Sequence, residues 1–196
     1  MEPVFIRAFF ALDLPVEQKH HLVEAMAELK EYLEKKYKTR QFRWVKAANL
    51  HITLQFMAAL PEEALLPLLQ QVRSVLRGLK SFYLQLGQPE WFPSTEVPRV
   101  LSLKTEHQDN LRELSAVIGK AMVACAYPVE DRPFRGHLTL ARVEGLHHLD
   151  PEYLSAFAWP GLPEIFINEI VLFKSEPQRG GSIYTRLASI QLGGEN

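Results

Sequence analysis

Two tetrapeptides of one pattern hold most of the chemical information in this chain: His51-Ile52-Thr53-Leu54 and His137-Leu138-Thr139-Leu140. Each lies in a segment that reads as a β-strand. On a strand, side chains at i and i+2 share a face, about 6.5–7 Å apart, and the alternate positions turn the other way. Each segment therefore presents an imidazole and a hydroxyl on one side and anchors itself through aliphatic residues on the other. Two such strands facing across a cleft would bring two imidazoles and two hydroxyls to one point. That set suits phosphodiester chemistry. A neutral imidazole can take a proton from attacking water, and a protonated one can give a proton to the departing oxygen. The threonine hydroxyls can donate hydrogen bonds to non-bridging phosphate oxygens, where negative charge concentrates. A pKa near 6.5 lets both forms of histidine exist at neutral pH. The scheme uses no metal. A single His-x-Thr-Leu on a strand is more often a satisfied core or surface histidine; the repetition is what raises it above that.

The elements that must position these groups also repeat. Twice the chain runs strand, amphipathic helix, strand, with the motif on the last strand. Residues 4–12 read as a buried strand. Asp13 and Pro15 signal a helix start, and Leu22, Met26, Leu29 and Leu33 give that helix one apolar face. Residues 99–104 read as another strand. Thr105 and Gln108 then form a capping-box pattern before a helix carrying Leu111, Leu114, Ile118 and Ala121. Arg7 and Arg99 stand near the starts of the two leading strands. This looks like an internal duplication, and it predicts two similar lobes with a shared cleft. Between the units, residues 61–76 predict a helix that Pro67 should kink or delay. Phe82, Leu84 and Leu86 alternate as one strand. Asp150-Pro151-Glu152 starts a short helix, and two strands joined at Gly180-Gly181 finish the chain.

The chain has 196 residues, 47% hydrophobic and 23% charged, with formal net charge -1. A chain this long buries roughly 70% of its unfolded surface and needs no disulfide or metal staple. The balanced charge excludes a surface that is basic throughout, though not a local basic site. The single cysteine, Cys125, cannot form an internal disulfide. No apolar stretch approaches the 18 or more residues of a membrane span, and the N-terminus lacks the features of a secretory signal. A cytoplasmic setting is the expectation.

The segments around the motifs resemble the two-histidine (2H) phosphoesterases. Residues 43–54, Arg-Trp-Val-Lys-Ala-Ala-Asn-Leu-His-Ile-Thr-Leu, are similar to the family's first motif, and residues 132–142, Arg-Pro-Phe-Arg-Gly-His-Leu-Thr-Leu-Ala-Arg, to the second. Residues 7–12 and 172–175, with Gly181 and Tyr184, fit as well. Within that superfamily the chain resembles the bacterial RNA 2',3'-cyclic phosphodiesterases, also known as 2'-5' RNA ligases. The resemblance implies an α+β fold in which residues 1–196 form one domain of two intertwined, pseudo-symmetric lobes. Each lobe pairs an antiparallel sheet with helices, and the site lies in the cleft between them. It implies hydrolysis of a terminal 2',3'-cyclic phosphate on RNA to a 2'-phosphate, with His51 as proton donor and His137 as proton acceptor. Run in reverse, the same site would join ends through a 2'-5' bond. Thr53, Thr139 and Arg142 are the implied substrate contacts. The expected partners are RNA ends, tRNA fragments among them, or nucleotides, met by a monomer with no cofactor, no metal and no membrane.

Two positions depart from the family pattern. Gly136 stands where the family has Pro, which should loosen the backbone before His137. Ala58 stands where the family has Gly. Arg142 raises a separate difficulty: the fifth residue after His137 belongs on the opposite face of a regular strand, so it reaches the site only if the strand bulges. A basic run of Lys35, Lys36, Lys38, Arg40, Arg43 and Lys46 leads into the first motif, as an RNA guide or a solvated helix end. Trp44 and Phe42 offer a stacking face or core packing. His147, His148 and Asp150 match no zinc spacing and read as a capping loop. Two rivals remain: a cleft that binds an RNA end without turnover, and a related enzyme acting on a small cyclic nucleotide or a 2',5'-linked oligonucleotide.

Overall fold

The computed structural model describes residues 3–106, 108–129, 133–147 and 149–193. His107 and His148 lie outside the described residues. The elements in order are β1 (Phe5–Asp13), α1 (Val16–Glu34), β2 (Phe42–Trp44), β3 (His51–Pro61), α2 (Leu65–Leu76), β4 (Phe82–Leu84), β5 (Leu86–Phe92), β6 (Val100–Thr105), α3 (Gln108–Ala124), β7 (His137–Val143), α4 (Pro151–Ser155), β8 (Ile165–Ile167), β9 (Glu169–Gln178) and β10 (Gly181–Gln191). The class is α+β. One four-stranded antiparallel sheet runs β10-β9-β1-β3, a second runs β2-β7-β6-β5, and β4 pairs with β8.

The repeat in the sequence is a repeat in topology. Helix α1 joins β1 to β3, and α3 joins β6 to β7, so β9-β1-β3 corresponds to β5-β6-β7. The halves also exchange strands: β2 adds to the free side of β7, while β9 and β10, from the end of the chain, complete the first sheet. Burial follows the patterns that made the elements. Leu22, Met26, Leu29 and Leu33 of α1 are buried, as are Leu111, Leu114, Ile118 and Ala121 of α3. Strand β1 is central and buried on both faces. Ala8, Phe10 and Leu12 join the main core, while Phe9 and Ala11 pack with Val171 and Phe173 on the other side.

Pro67 delays α2 and does not kink it: after a 3-10 turn at Glu62–Ala64 the α-helix starts at Leu65, and Pro67 falls in the first turn, where a backbone N–H has no intrahelical partner to lose. Two elements differ from the sequence reading. The alternating run at 82–86 is two strands. Its two halves serve different sheets, and between them the Gln85 side chain donates to the Leu162 carbonyl at 2.8 Å. Strand β5 continues through Pro89 because it is a sheet edge, which tolerates a missing donor.

Removing core volume directly behind the motifs should be costly and removing surface volume should not. Ile52 and Leu138 are fully buried, whereas Val123 is 61% exposed. Ile52→Ala and Leu138→Ala are each expected to lower unfolding free energy by about 2–5 kcal/mol. Val123→Ala should stay within about 0.5 kcal/mol. Urea unfolding midpoints check all three.

Candidate active site

Strands β3 and β7 run close together where the two sheets meet, and a cleft of ≈ 930 Å³ opens there. His51, Thr53 and Phe56 enter it from β3, and His137, Thr139 and Arg142 from β7. All five residues singled out in the sequence thus line one cavity, with the aliphatic partners Ile52, Leu54, Leu138 and Leu140 buried behind them.

Both strands carry a register shift at the same point of the motif. Opposite β1, the pairing steps from Gln55 to Thr53 and passes over Leu54; opposite β6, it steps from Ala141 to Thr139 and passes over Leu140. An extra residue reverses the alternation. Leu140 and Ala141 are consecutively buried, and Arg142 returns to the face of His137 and Thr139. Phe56 returns by the same device on β3. The second register shift of β3 takes in Ala58, whose backbone stays outside the left-handed region that would have required glycine.

The two imidazoles are held alike. His51 Nδ1 lies 2.6 Å from the Asn49 carbonyl, and His137 Nδ1 lies 3.0 Å from the Arg135 carbonyl. A carbonyl only accepts, so each Nδ1 carries a proton and each Nε2 is the exchangeable position. Thr53 Oγ1 lies 3.1 Å from His51 Nε2. Aromatic rings hold the planes: Phe9 and Tyr184 pack on His51 with centroids 4.8 and 5.2 Å away, and Phe92 stacks on His137 at 4.1 Å. Burial pushes the pKa of His51 below its ordinary value. The Asn49 carbonyl and Asp13 oppose that shift, while Lys19 and His137 reinforce it. Burial likewise lowers His137, against the Arg135 carbonyl and Glu90 and with the Arg135 charge. Each ring is therefore poised to stay neutral until a negative charge enters the cleft.

The walls are cationic although the chain as a whole is not. Arg7, Arg43, Lys46, Arg142 and Arg179 line the cleft, with Glu144 as the carboxylate. Of the basic run leading into the first motif, only Arg43 and Lys46 reach it. Arg43 pairs with Glu144, and Lys36 turns away to Asp150 at 2.6 Å. Trp44 does both things considered for it, lining the cleft and packing on buried Phe42 at 6.2 Å. Sequence reasoning noted Arg7 at a strand start and the turn at Gly180-Gly181, but it did not place Arg7, Arg179 or the hairpin at 177–184 in the cleft; the hairpin forms one wall and is tied down by Asn49 Nδ2 donating to the Ser182 carbonyl at 2.8 Å. An arginine inside the apolar run of β1 was the available signal for Arg7. Asp150 caps α4, accepting from the backbone N–H groups of Glu152 and Tyr153, so the expected capping role is what the structure places there. Among the described residues, no group of three His, Cys, Asp or Glu is arranged to hold a metal ion.

Gly136 is clamped and not loose. Gln108 Oε1 accepts from the Gly136 N–H at 3.0 Å, Gln108 Nε2 donates to the Gly136 carbonyl at 2.9 Å, and Thr105 Oγ1 donates to the same carbonyl at 3.0 Å. The pair read as a capping box thus grips the peptide units on either side of the residue before His137. A Cβ on Gly136 would stand 2.5 Å from Leu111 Cδ1. The Leu111 side chain would have to shift to admit a Cβ here, and hydrogen bonds supply the stiffness.

The cleft thus gathers two imidazoles, two threonine hydroxyls and five cationic side chains. The family model for LigT-like phosphoesterases matches residues 16–102 and 101–184, once around each motif, and the chain belongs to that family. The RNA 2',3'-cyclic phosphodiesterase of Thermus thermophilus is 30% identical over 97% of this chain and 92% of its own length. The enzyme of that name from Methanothermobacter thermautotrophicus is 28% identical over 95% and 99%. The solved structure of TT0787 from Thermus thermophilus superposes with a TM-score of 0.72 at 30% identity, covering 97% of this chain and all of that one. Escherichia coli LigT shares the fold at a TM-score of 0.72 and 24% identity over 97% and 99%.

Two outcomes follow. Gly136→Ala should destabilise the fold by about 1–3 kcal/mol through overpacking against Leu111, seen in urea unfolding. Both histidine pKa values are lowered in the folded state, so the unfolded chain takes up these protons first. Stability is then full above the ordinary value of 6.5 and falls as pH drops through it. A His51→Gln, His137→Gln double variant should therefore lose less stability than the parent between about pH 7 and pH 5.

Proposed function

We propose that this chain hydrolyses the terminal 2',3'-cyclic phosphate of RNA to a 2'-phosphate, through His51 and His137 and without a metal. The observation that carries the reading is the matched pair of imidazoles. Both sit in one cleft, both have Nδ1 tied to the carbonyl two residues upstream, and both leave Nε2 to exchange a proton. Water adds to phosphorus as His137 Nε2 removes its proton. The P–O3' bond breaks as His51 Nε2–H gives a proton to the 3' oxygen. The product keeps phosphate on the 2' oxygen, and the two rings have exchanged protonation states. Thr53 and Thr139 donate to the non-bridging oxygens, and Arg142 holds them by charge-assisted hydrogen bonds. The assignment of donor and acceptor follows the family resemblance.

The names of the relatives support an RNA end as substrate. So does the cleft, whose five cations and ≈ 930 Å³ leave room beyond a single phosphate for neighbouring nucleotides. By microscopic reversibility, a 5'-hydroxyl replacing water would give 2'-5' ligation at the same site. The protein is proposed to act as a monomer in the cytoplasm, on RNA fragments such as those of tRNA.

The test is an RNA ending in a 2',3'-cyclic phosphate, incubated with the protein in EDTA, with the product phosphate mapped by NMR. Full activity and a 2'-phosphate are expected. Loss of activity that zinc or manganese restores, or a 3'-phosphate product, contradicts the mechanism. RNA bound but unchanged points to a binding module, and turnover confined to small cyclic nucleotides changes the substrate. His51→Ala or His137→Ala should each lower kcat by about 10²–10⁴-fold, and the double variant should fall far short of the product of the two losses. With both pKa values lowered, the bell of kcat/KM, which reports the free enzyme, should centre on the acid side of 6.5.

A further inference from the structure

The motifs are alike, but the strands behind them are not. Across the first sheet, Thr53 pairs with Ala11 and Ala11 with Val171. Across the second, the corresponding row is Thr139, Ser102 and Glu90. Residues of one row share a face of the sheet, so a carboxylate stands on the cleft side of the second sheet where the first has valine. Glu90 is 13% exposed. Its Oε2 accepts from Arg135 Nη2, while its Oε1 is buried with no hydrogen-bond partner among the described residues, as is the hydroxyl of fully buried Ser102 beside it. Leaving a buried carboxylate oxygen without a donor costs stability, so this carboxylate is held in place against the local energetics.

What holds His137 converges on Glu90. Arg135, gripped by Glu90, supplies the carbonyl that fixes His137 Nδ1 at 3.0 Å. The Arg135 guanidinium lies 5.0 Å from the centre of the Phe92 ring, and that ring stacks on His137 at 4.1 Å. The charged groups around His137 are Glu90 on β5, Lys104 cross-strand on β6, Arg135 before it, Arg142 along β7, Arg43 on β2 and His51 across the cleft. Among them Glu90 is the carboxylate that favours a charged ring. Asp13, the carboxylate beside His51, also favours a charged ring, but two cations share it, Lys19 at 2.6 Å and Arg186 at 3.0 Å, where the ion pair of Glu90 is with Arg135.

We propose that Glu90 is a positioning residue for the reaction: it orients His137 through Arg135 and Phe92, and its charge stabilises the imidazolium that His137 becomes on taking the proton from water. This rests on the two-histidine mechanism proposed above.

The test is Glu90→Gln, which keeps the shape and removes the charge. In NMR titrations of the ring nitrogens, the His137 pKa should fall by about half a unit or more while that of His51 stays. On cyclic-phosphate RNA, the acidic limb of kcat/KM should move to lower pH by a like amount, and kcat at neutral pH should fall about tenfold with KM within about twofold. Glu90→Asp should restore most of the rate. Arg135→Met, which unmasks the carboxylate, should move the His137 pKa upward and serves alone if Glu90→Gln does not fold. An unchanged His137 titration in Glu90→Gln or Arg135→Met overturns the inference. His137→Ala, measured beside them, keeps the two claims apart: if it is inactive, only the role of Glu90 has failed, and if it is active, the two-histidine mechanism has.

Discussion

A backbone carbonyl two residues upstream of each histidine holds the Nδ1 proton, and that small contact governs what the site can do. It fixes the tautomer, turns Nε2 to the cleft, and does so on both strands with the same geometry. An imidazole free to rotate would present either nitrogen and lose much of its value as a proton carrier. The rest of the fold can be understood as keeping two such rings in register. The sheets supply strands whose alternate residues are buried aliphatics. The aromatic rings of Phe9, Tyr184 and Phe92 then restrict the planes.

The duplicated architecture gives a symmetric frame, and the proposed chemistry requires it to be broken. The proposed reaction needs one ring charged and one neutral at the start. The motifs themselves do not decide which. The asymmetry enters two residues beyond them, with Phe56 on one wall of the cleft and Arg142 on the other, and in the next two strands, with Ala11 and Val171 against Ser102 and Glu90. Burial lowers both pKa values, and the charges beside the two rings differ.

How far the sequence could be read depended on the range of the interaction. The histidines and threonines were legible because strand periodicity is local and the motif occurs twice. The helix faces were legible for the same reason. Arg142 was named from the family resemblance against strand parity, and the bulge at Leu140 that reconciles the two has no local signal in the sequence. Gly136 was misread because its meaning lies in Leu111 and Gln108, which reach it only through the packing of α3. The capping-box pattern of Thr105 and Gln108 was a correct sighting of two hydrogen-bonding residues with the wrong partner assigned. Most of β5, and with it Glu90, went unread, because the alternation of Phe82, Leu84 and Leu86 reaches only the first residue of that strand. The hairpin at 177–184 was legible at Gly180-Gly181, but its place as a cleft wall was not, because it is set by sheet pairing far in sequence from the motifs.

The central claim is that His51 and His137 act as one unit on one phosphate. Titrating histidine-labelled protein with inorganic phosphate, and following both rings by NMR, tests it directly. The Nε2 signals of both residues are expected to move together along one saturation curve, with both pKa values raised in the bound state. Movement of one ring alone, or two curves with separate affinities, would contradict it.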